Sequence, residues 1–226
     1  MGVVLGIDLG SQDQAMAVSR ENRMPRASVV ITTAARAIIR LSKAGEKVES
    51  IAVWGSEVDP TLHPDFKEIT GNLRDLRNKW FAKARLWLIT EEPHFENTAV
   101  RHVLGVYDRV IARVEWGTAK TFTALTGRRG TELPSLFAGL MHLEHLVVQT
   151  RFVRGEADNS TPTEVRAWMK RLTELRPREV HVLNLEKAPR GKLKPVPKAR
   201  LAEIAAEVTE KTGIPATVHA HESPLS

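Results

Sequence analysis

The residues with the clearest chemical pattern lie near the amino terminus, in the run VVLGIDLGSQDQAMAVS from Val3 to Ser19. One reading is the phosphate hairpin of an actin-like or sugar-kinase ATPase. Asp8 would then approach Mg²⁺, and Gly10-Ser11 would turn backbone N–H groups toward a phosphate. That chemistry needs a second hairpin from a duplicated lobe. The 226 residues contain no second Gly-rich run of this type and are too few for two such lobes. The second reading is a first β-strand, Val3–Leu9, followed by a loop, Gly10–Ser19, whose chemistry depends on the rest of the chain.

The cysteine count narrows that chemistry, because it is zero. Disulfides, thiolate zinc sites, cysteine nucleophiles and cysteine-held iron–sulfur clusters are all excluded. Other clusters have competing structural readings. His219-Ala220-His221-Glu222 places two imidazoles on one side of an extended segment, as metal ligands or as a solvated tail. His63, within Pro-Thr-Leu-His-Pro-Asp-Phe, is expected to organise the loop before a helix by hydrogen bonding backbone groups. His142 and His145 flank a turn and read as capping or surface residues. Trp54 and Trp116, at strand ends, line a cavity or pack in a core.

Positive charge is densest in KAPRGKLKPVPKAR, where Lys187, Arg190, Lys192, Lys194, Lys198 and Arg200 occur without an acid among residues 187–200. Arg128-Arg129 adds a pair elsewhere. The run fits a phosphate-rich partner such as nucleic acid, or a solvated loop. Aromatic residues make up only 5% of the chain and offer few stacking platforms. The overall balance of 33 basic to 27 acidic residues, a formal +6, is modest for a dedicated nucleic-acid binder. No apolar run approaches the roughly 20 residues needed to span a bilayer, and no basic leader precedes Val3, so the expected location is cytoplasmic.

These residues are carried by alternating strands and helices. Apolar, β-rich runs at 3–9, 50–55, 84–90, 109–116, 145–153, 179–185 and 216–220 predict seven strands. Helical spacing predicts helices over 32–44, 65–80, 97–106, 133–143, 162–175 and 198–212. Thr161 before Pro162, and Gly213 after Thr212, are good boundary signals. Alternation of this kind implies parallel βα units. Six or seven units in one domain over residues 1–226 suit a partial (β/α)6-type TIM barrel better than a closed eightfold one, which takes about 250 residues. Ligands in such folds sit at the carboxyl ends of the strands.

Four segments resemble one family. WGSEVDPTLHPDF (54–66), VEWGTAKTFTALTGRRG (114–130), FVRGEADNSTPTEV (152–165), and VHVLNLEKAP with PVPKARLAEIAAEVTEKTGIPATV toward the carboxyl terminus are similar, in order, to loops of radical S-adenosylmethionine (SAM) proteins. The resemblance implies a radical-SAM-like partial barrel, with a helix after Gly117-Thr118. It also implies a first loop bearing Cys-x3-Cys-x2-Cys, whose thiolates hold a [4Fe–4S] cluster that binds and cleaves SAM. At that spacing this chain has Gln12, Met16 and Ser19. An amide, a thioether and a hydroxyl are poor substitutes for soft anionic sulfur. The resemblance further places Asp59, or Glu57 after a loop shift, where an acidic group meets the SAM amino group, and Glu115 where an acid binds ribose.

The expectation is therefore a degenerate radical-SAM-like protein without its cluster. It would serve as a non-catalytic partner of a cysteine-bearing paralogue, or bind a nucleoside-like ligand such as SAM. Two alternatives stay open at this point. One is a non-radical, metal-assisted enzyme using the acidic loop ends Asp8, Glu57, Asp59 and Glu115. The other is a nucleic-acid binder acting through the 187–200 loop.

Overall fold

A computed structural model describes residues 3–9, 24–56, 58–91, 95, 98–185 and 193–219. The chain divides into two compact units between Ile111 and Ala112. Strand β4 (Arg109–Arg113) crosses this division.

In the first unit, strands β1 (Val3–Asp8), β2 (Val48–Trp54) and β3 (Arg85–Thr90) alternate with helices α1 (Ala27–Lys43), α2 (Phe66–Trp80) and α3 (Thr98–Leu104). The strands pair in parallel and in chain order, with Ile7 opposite Val53, Asp8 opposite Trp54 and Ser50 opposite Arg85. This register sends Ile51, Val53, Leu86 and Leu88 into complete burial. Helix α1 covers the sheet through Ala27, Val30, Ala34 and Ile38, and α2 through Phe66, Ile69, Thr70 and Leu73. Each set recurs at the three-to-four spacing of a helical face. The two helices pack side by side. Thr70 and Tyr107 share a hydrogen bond of 2.8 Å between their hydroxyls, and burial pushes the Tyr107 phenol well above its usual pKa. Gly6 has a specific role, because a Cβ there would fall 2.0 Å from the Trp54 ring. Only a bare backbone lets that indole lie across β1.

In the second unit, β5 (Leu146–Gly155) pairs in parallel with β6 (Glu179–Asn184), which pairs in parallel with β8 (Ala216–Val218). A short strand, β7 (Leu193–Pro195), runs antiparallel along the end of β5. Helices α4 (Ala119–Thr126), α5 (Leu133–Leu140), α6 (Pro162–Leu175) and α7 (Lys198–Thr212) complete the unit. The core includes Val148, Phe152, Val180 and Val182, with Trp168 edge-on to Phe152 at 5.2 Å. Trp116 is buried against Phe122 and Phe137, so its place is the core.

The seven expected strands form. β7 is an addition inside the basic run, where alternating lysine and proline give no apolar signal. Helix α1 begins at Ala27, five residues before its expected start. Its first turns are β-branched and lack an acidic cap, but burial of Ala27 and Val30 overrides that weak local preference. Helix α4 lies where the family resemblance implied it, between the capping Thr118 and a left-handed Gly127.

Gly117 packs directly against α6, and a Cβ there would meet the Trp168 nitrogen at 2.2 Å and the Ala167 carbonyl carbon at 2.5 Å. Backbone atoms cannot rotate away. Gly117→Ala is therefore expected to lower stability by about 1–3 kcal/mol, the usual cost of overpacking. A urea unfolding midpoint checks this, with Gly71→Ala, which meets nothing within 4 Å, as the tolerated control.

Candidate functional site

In the first unit, the loops at the carboxyl ends of the strands are tied by carboxylates. Asp8, the last residue of β1, accepts the Ser56 N–H at 3.0 Å and so links β1 to the loop after β2. Asp59 is buried and accepts from four donors. The Thr61 N–H (3.0 Å) and Thr61 hydroxyl reach Oδ1, and the Thr90 hydroxyl (2.6 Å) and Glu91 N–H (3.1 Å) reach Oδ2. Asp59 also caps the 3-10 turn Pro60–Leu62. A carboxylate saturated in this way is a loop anchor, joining the exits of β2 and β3.

His63 completes the arrangement. It is buried, its Nδ1 accepts the Asp65 N–H at 3.0 Å, and its Nε2 lies 2.8 Å from the Pro25 carbonyl. With Nδ1 accepting, Nε2 must carry the proton and donate it to Pro25. The ring thus fixes the chain entering α1 to the turn that begins α2. Glu57 lies outside the described residues, as do Gln12, Met16 and Ser19.

In the second unit, Glu115 follows β4 and is buried. Arg151 Nε stands 3.1 Å from its Oε1, and Arg113 Nε stands 3.6 Å from the same oxygen. The carboxylate therefore lies between two guanidinium groups, one buried and one half-buried. Asn159, also buried, locks the backbone around it. Its Oδ1 accepts the Val153 N–H at 2.8 Å, while its Nδ2 donates to the Glu115 and Arg151 carbonyls, each at 2.9 Å. Asn159 was not singled out from the sequence. Its only signal is an Asn-Ser-Thr run before a helix, which reads as a simple cap.

The two histidines of the terminal segment divide. His219 is described, with its ring 4.3 Å from that of His181 and its Nε2 3.0 Å from the Thr217 hydroxyl. His221 and Glu222 lie outside the described residues. Among the described residues, no group of three His, Asp or Glu side chains is arranged to hold a metal ion.

Of the basic run, Lys194 on β7 and Lys198 at the start of α7 are exposed. Arg200 is half-buried, ion-paired with Glu203 at 3.1 Å and donating to the Ser160 carbonyl at 3.3 Å. Lys187, Arg190 and Lys192 lie outside the described residues. Arg128 and Arg129 both pair with Glu132, and those hydrogen bonds, Arg128 first, hold its carboxyl below its usual pKa. Among the described residues, no helix is long and apolar enough to cross a membrane.

Removing the Glu115 charge would take from Arg113 and Arg151 the buried carboxylate that both face. Glu115→Gln is expected to cost about 3–5 kcal/mol, as for other broken buried pairs. Asp59→Ala would strand the buried Thr61 and Thr90 donors and is expected to cost at least about 3 kcal/mol. Chemical denaturation measures both, and a loss below about 1 kcal/mol in either variant would contradict the anchoring role.

No protein-family sequence profile matches the chain, and no curated protein sequence matches it. Solved structures do. A radical SAM methyltransferase from Sphaerobacter thermophilus superposes with a TM-score of 0.66 at 13% identity, covering 98% of this chain and 64% of the methyltransferase. The chain thus spans less than two thirds of that relative's length. A domain of a pyruvate-formate lyase-activating enzyme from Bacteroides vulgatus matches with a TM-score of 0.57 at 11% identity, covering 76% of this chain and 99% of the domain. The donor set does not fit the [4Fe–4S] cluster that the sequence resemblance implies, since the chain has no cysteine to supply a thiolate. The chain has the TIM-barrel-like α/β fold of radical SAM enzymes, without the sulfur ligands their cluster motif provides.

Proposed function

We propose that this chain is a degenerate radical-SAM-like protein that acts as a non-catalytic subunit, docked to a cysteine-bearing partner of similar fold. The observation that carries this reading is the persistence of the fold in a chain with no cysteine. The strand-end chemistry supports it. Asp59 is saturated by four donors of its own unit, and Glu115 is held between Arg113 and Arg151. Neither is poised to grip the amino group or ribose of SAM, so a partner role is favoured over retained SAM binding. A scaffold whose loops are stabilised by internal bonds needs no ligand to hold its shape. It is suited to positioning another chain.

Anaerobic reconstitution of the purified chain with iron and sulfide tests the reading. The expected result is no stoichiometric cluster and no saturable heat on titration with SAM. Four irons per chain would overturn the degenerate assignment. SAM binding without iron would replace the partner role with that of a ligand-binding protein. Mixing with a cysteine-bearing paralogue from the same genome is expected to give a complex of fixed stoichiometry by light scattering.

A further inference from the structure

The long helices of this chain mix their surface charges, with one exception. Helices α2, α6 and α7 each carry acids among their basic residues. Their cations pair within a turn: Arg74 with Asp75 at 3.1 Å, Arg171 with Glu174 at 2.9 Å, Arg200 with Glu203 at 3.1 Å and Lys211 with Glu207 at 2.6 Å. The 17 residues of α1 contain no acid at all. Arg36, Arg40 and Lys43, with Arg26 at the N-cap, are exposed. None of these four makes an ion pair or a hydrogen bond among the described residues.

The helix directs these cations away from the core. Ala27, Val30, Ala34 and Ile38 are buried on one side. At 3.6 residues per turn the opposite side carries Thr32, Arg36 and Lys43, flanked by Thr33 and Arg40. From Arg26 to Lys43 the basic ridge is about 25 Å long at about 1.5 Å per residue. Arg40 and Lys43 lie in the last turn, where the helix dipole favours cations. Arg36 lies outside that turn, and Arg26 stands at the positive end of the dipole with no acid in the first turn. Helix stability therefore accounts for only half of the ridge.

A linear, acid-free row of arginine, lysine and threonine is complementary to a polyanion. We propose that α1 binds the sugar–phosphate backbone of a nucleic acid, without reading its sequence. Guanidinium groups grip phosphate oxygens through paired N–H donors, and threonine hydroxyls donate to the same oxygens. A protein partner is the poorer fit, because interface centres are rich in aromatic and large apolar residues. The exposed large apolar residues are Leu62, Met141 and Val218, none of them on α1. An anionic membrane fits less well too, since the apolar face that would insert already lies against the sheet. A net charge of only +6 and 5% aromatic content suit weak backbone contact rather than base stacking. This ridge belongs to the first unit and is distinct from the 187–200 run of the second. The proposal goes beyond the subunit role and does not depend on it.

Fluorescence anisotropy of the full chain tests it, with a labelled random-sequence DNA duplex and a labelled single-stranded RNA titrated across a salt series. Four neutralised phosphates predict a slope of log affinity against log salt of about −3.6 for the duplex and about −2.8 for the single strand. The tighter of the two identifies the source of the backbone. Arg36→Gln/Arg40→Gln/Lys43→Gln keeps good helix formers at exposed positions, so its melting temperature is expected to hold. Its slope is expected to fall to about −1, with affinity at low salt at least about tenfold weaker. No binding of either nucleic acid at low salt would overturn the proposal. So would an unchanged affinity in the α1 variant, including the case where Lys194→Gln/Lys198→Gln abolishes binding instead. Tighter binding to polyglutamate or to phosphatidylserine vesicles than to both nucleic acids would also overturn it, in favour of an acidic protein or a membrane.

Discussion

Parallel strand pairing brings the carboxyl ends of neighbouring strands to one edge, where no ladder continues to satisfy the departing backbone. The loops leaving that edge must be secured by side chains, and much of this structure follows from how that is done. In the first unit the work falls to two carboxylates and an imidazole. Asp8 holds the exit of β2, Asp59 joins the exits of β2 and β3, and His63 fastens the entry of α1 to the start of α2. In the second unit an amide and an ion cluster serve the same end, Asn159 bonding the backbone of Glu115, Arg151 and Val153 beside the Glu115–Arg151 ion pair.

The same constraint changes how acidic residues at these positions are interpreted. In a radical-SAM-like loop an acid invites assignment to the ligand. A carboxylate that accepts several hydrogen bonds contributes about 1.5–3 kcal/mol for each charged one, against a total folding stability of only about 5–15 kcal/mol. Losing Asp59 would threaten the fold whether or not SAM is bound. Acidity at such a position can therefore outlast the chemistry it resembles. Its presence in a chain without thiolates is no sign that the reaction survives. The saturation of both Asp59 oxygens is the more informative fact, because it shows which partners the carboxylate serves.

Much of this architecture is legible in the sequence because burial leaves periodic marks. Ile51, Val53, Leu86 and Leu88 mark strands covered by helices, while Thr161-Pro162 and Gly213 mark helix ends through local backbone chemistry. The start of α1 was not legible, since Ser28, Val29, Val30 and Ile31 read locally as strand and only the packing of Val30 makes them helix. Strand β7 is three residues long and is recruited by the end of β5, so its cause lies about forty residues away in the chain. The site shows the same divide. Residue types at 8, 59, 63 and 115 stand out in the sequence, but the bonds they make depend on donors such as Thr90, Arg151 and Glu91 that become neighbours only on folding. Asn159 carried no signal because an asparagine before a helix has a sufficient local explanation.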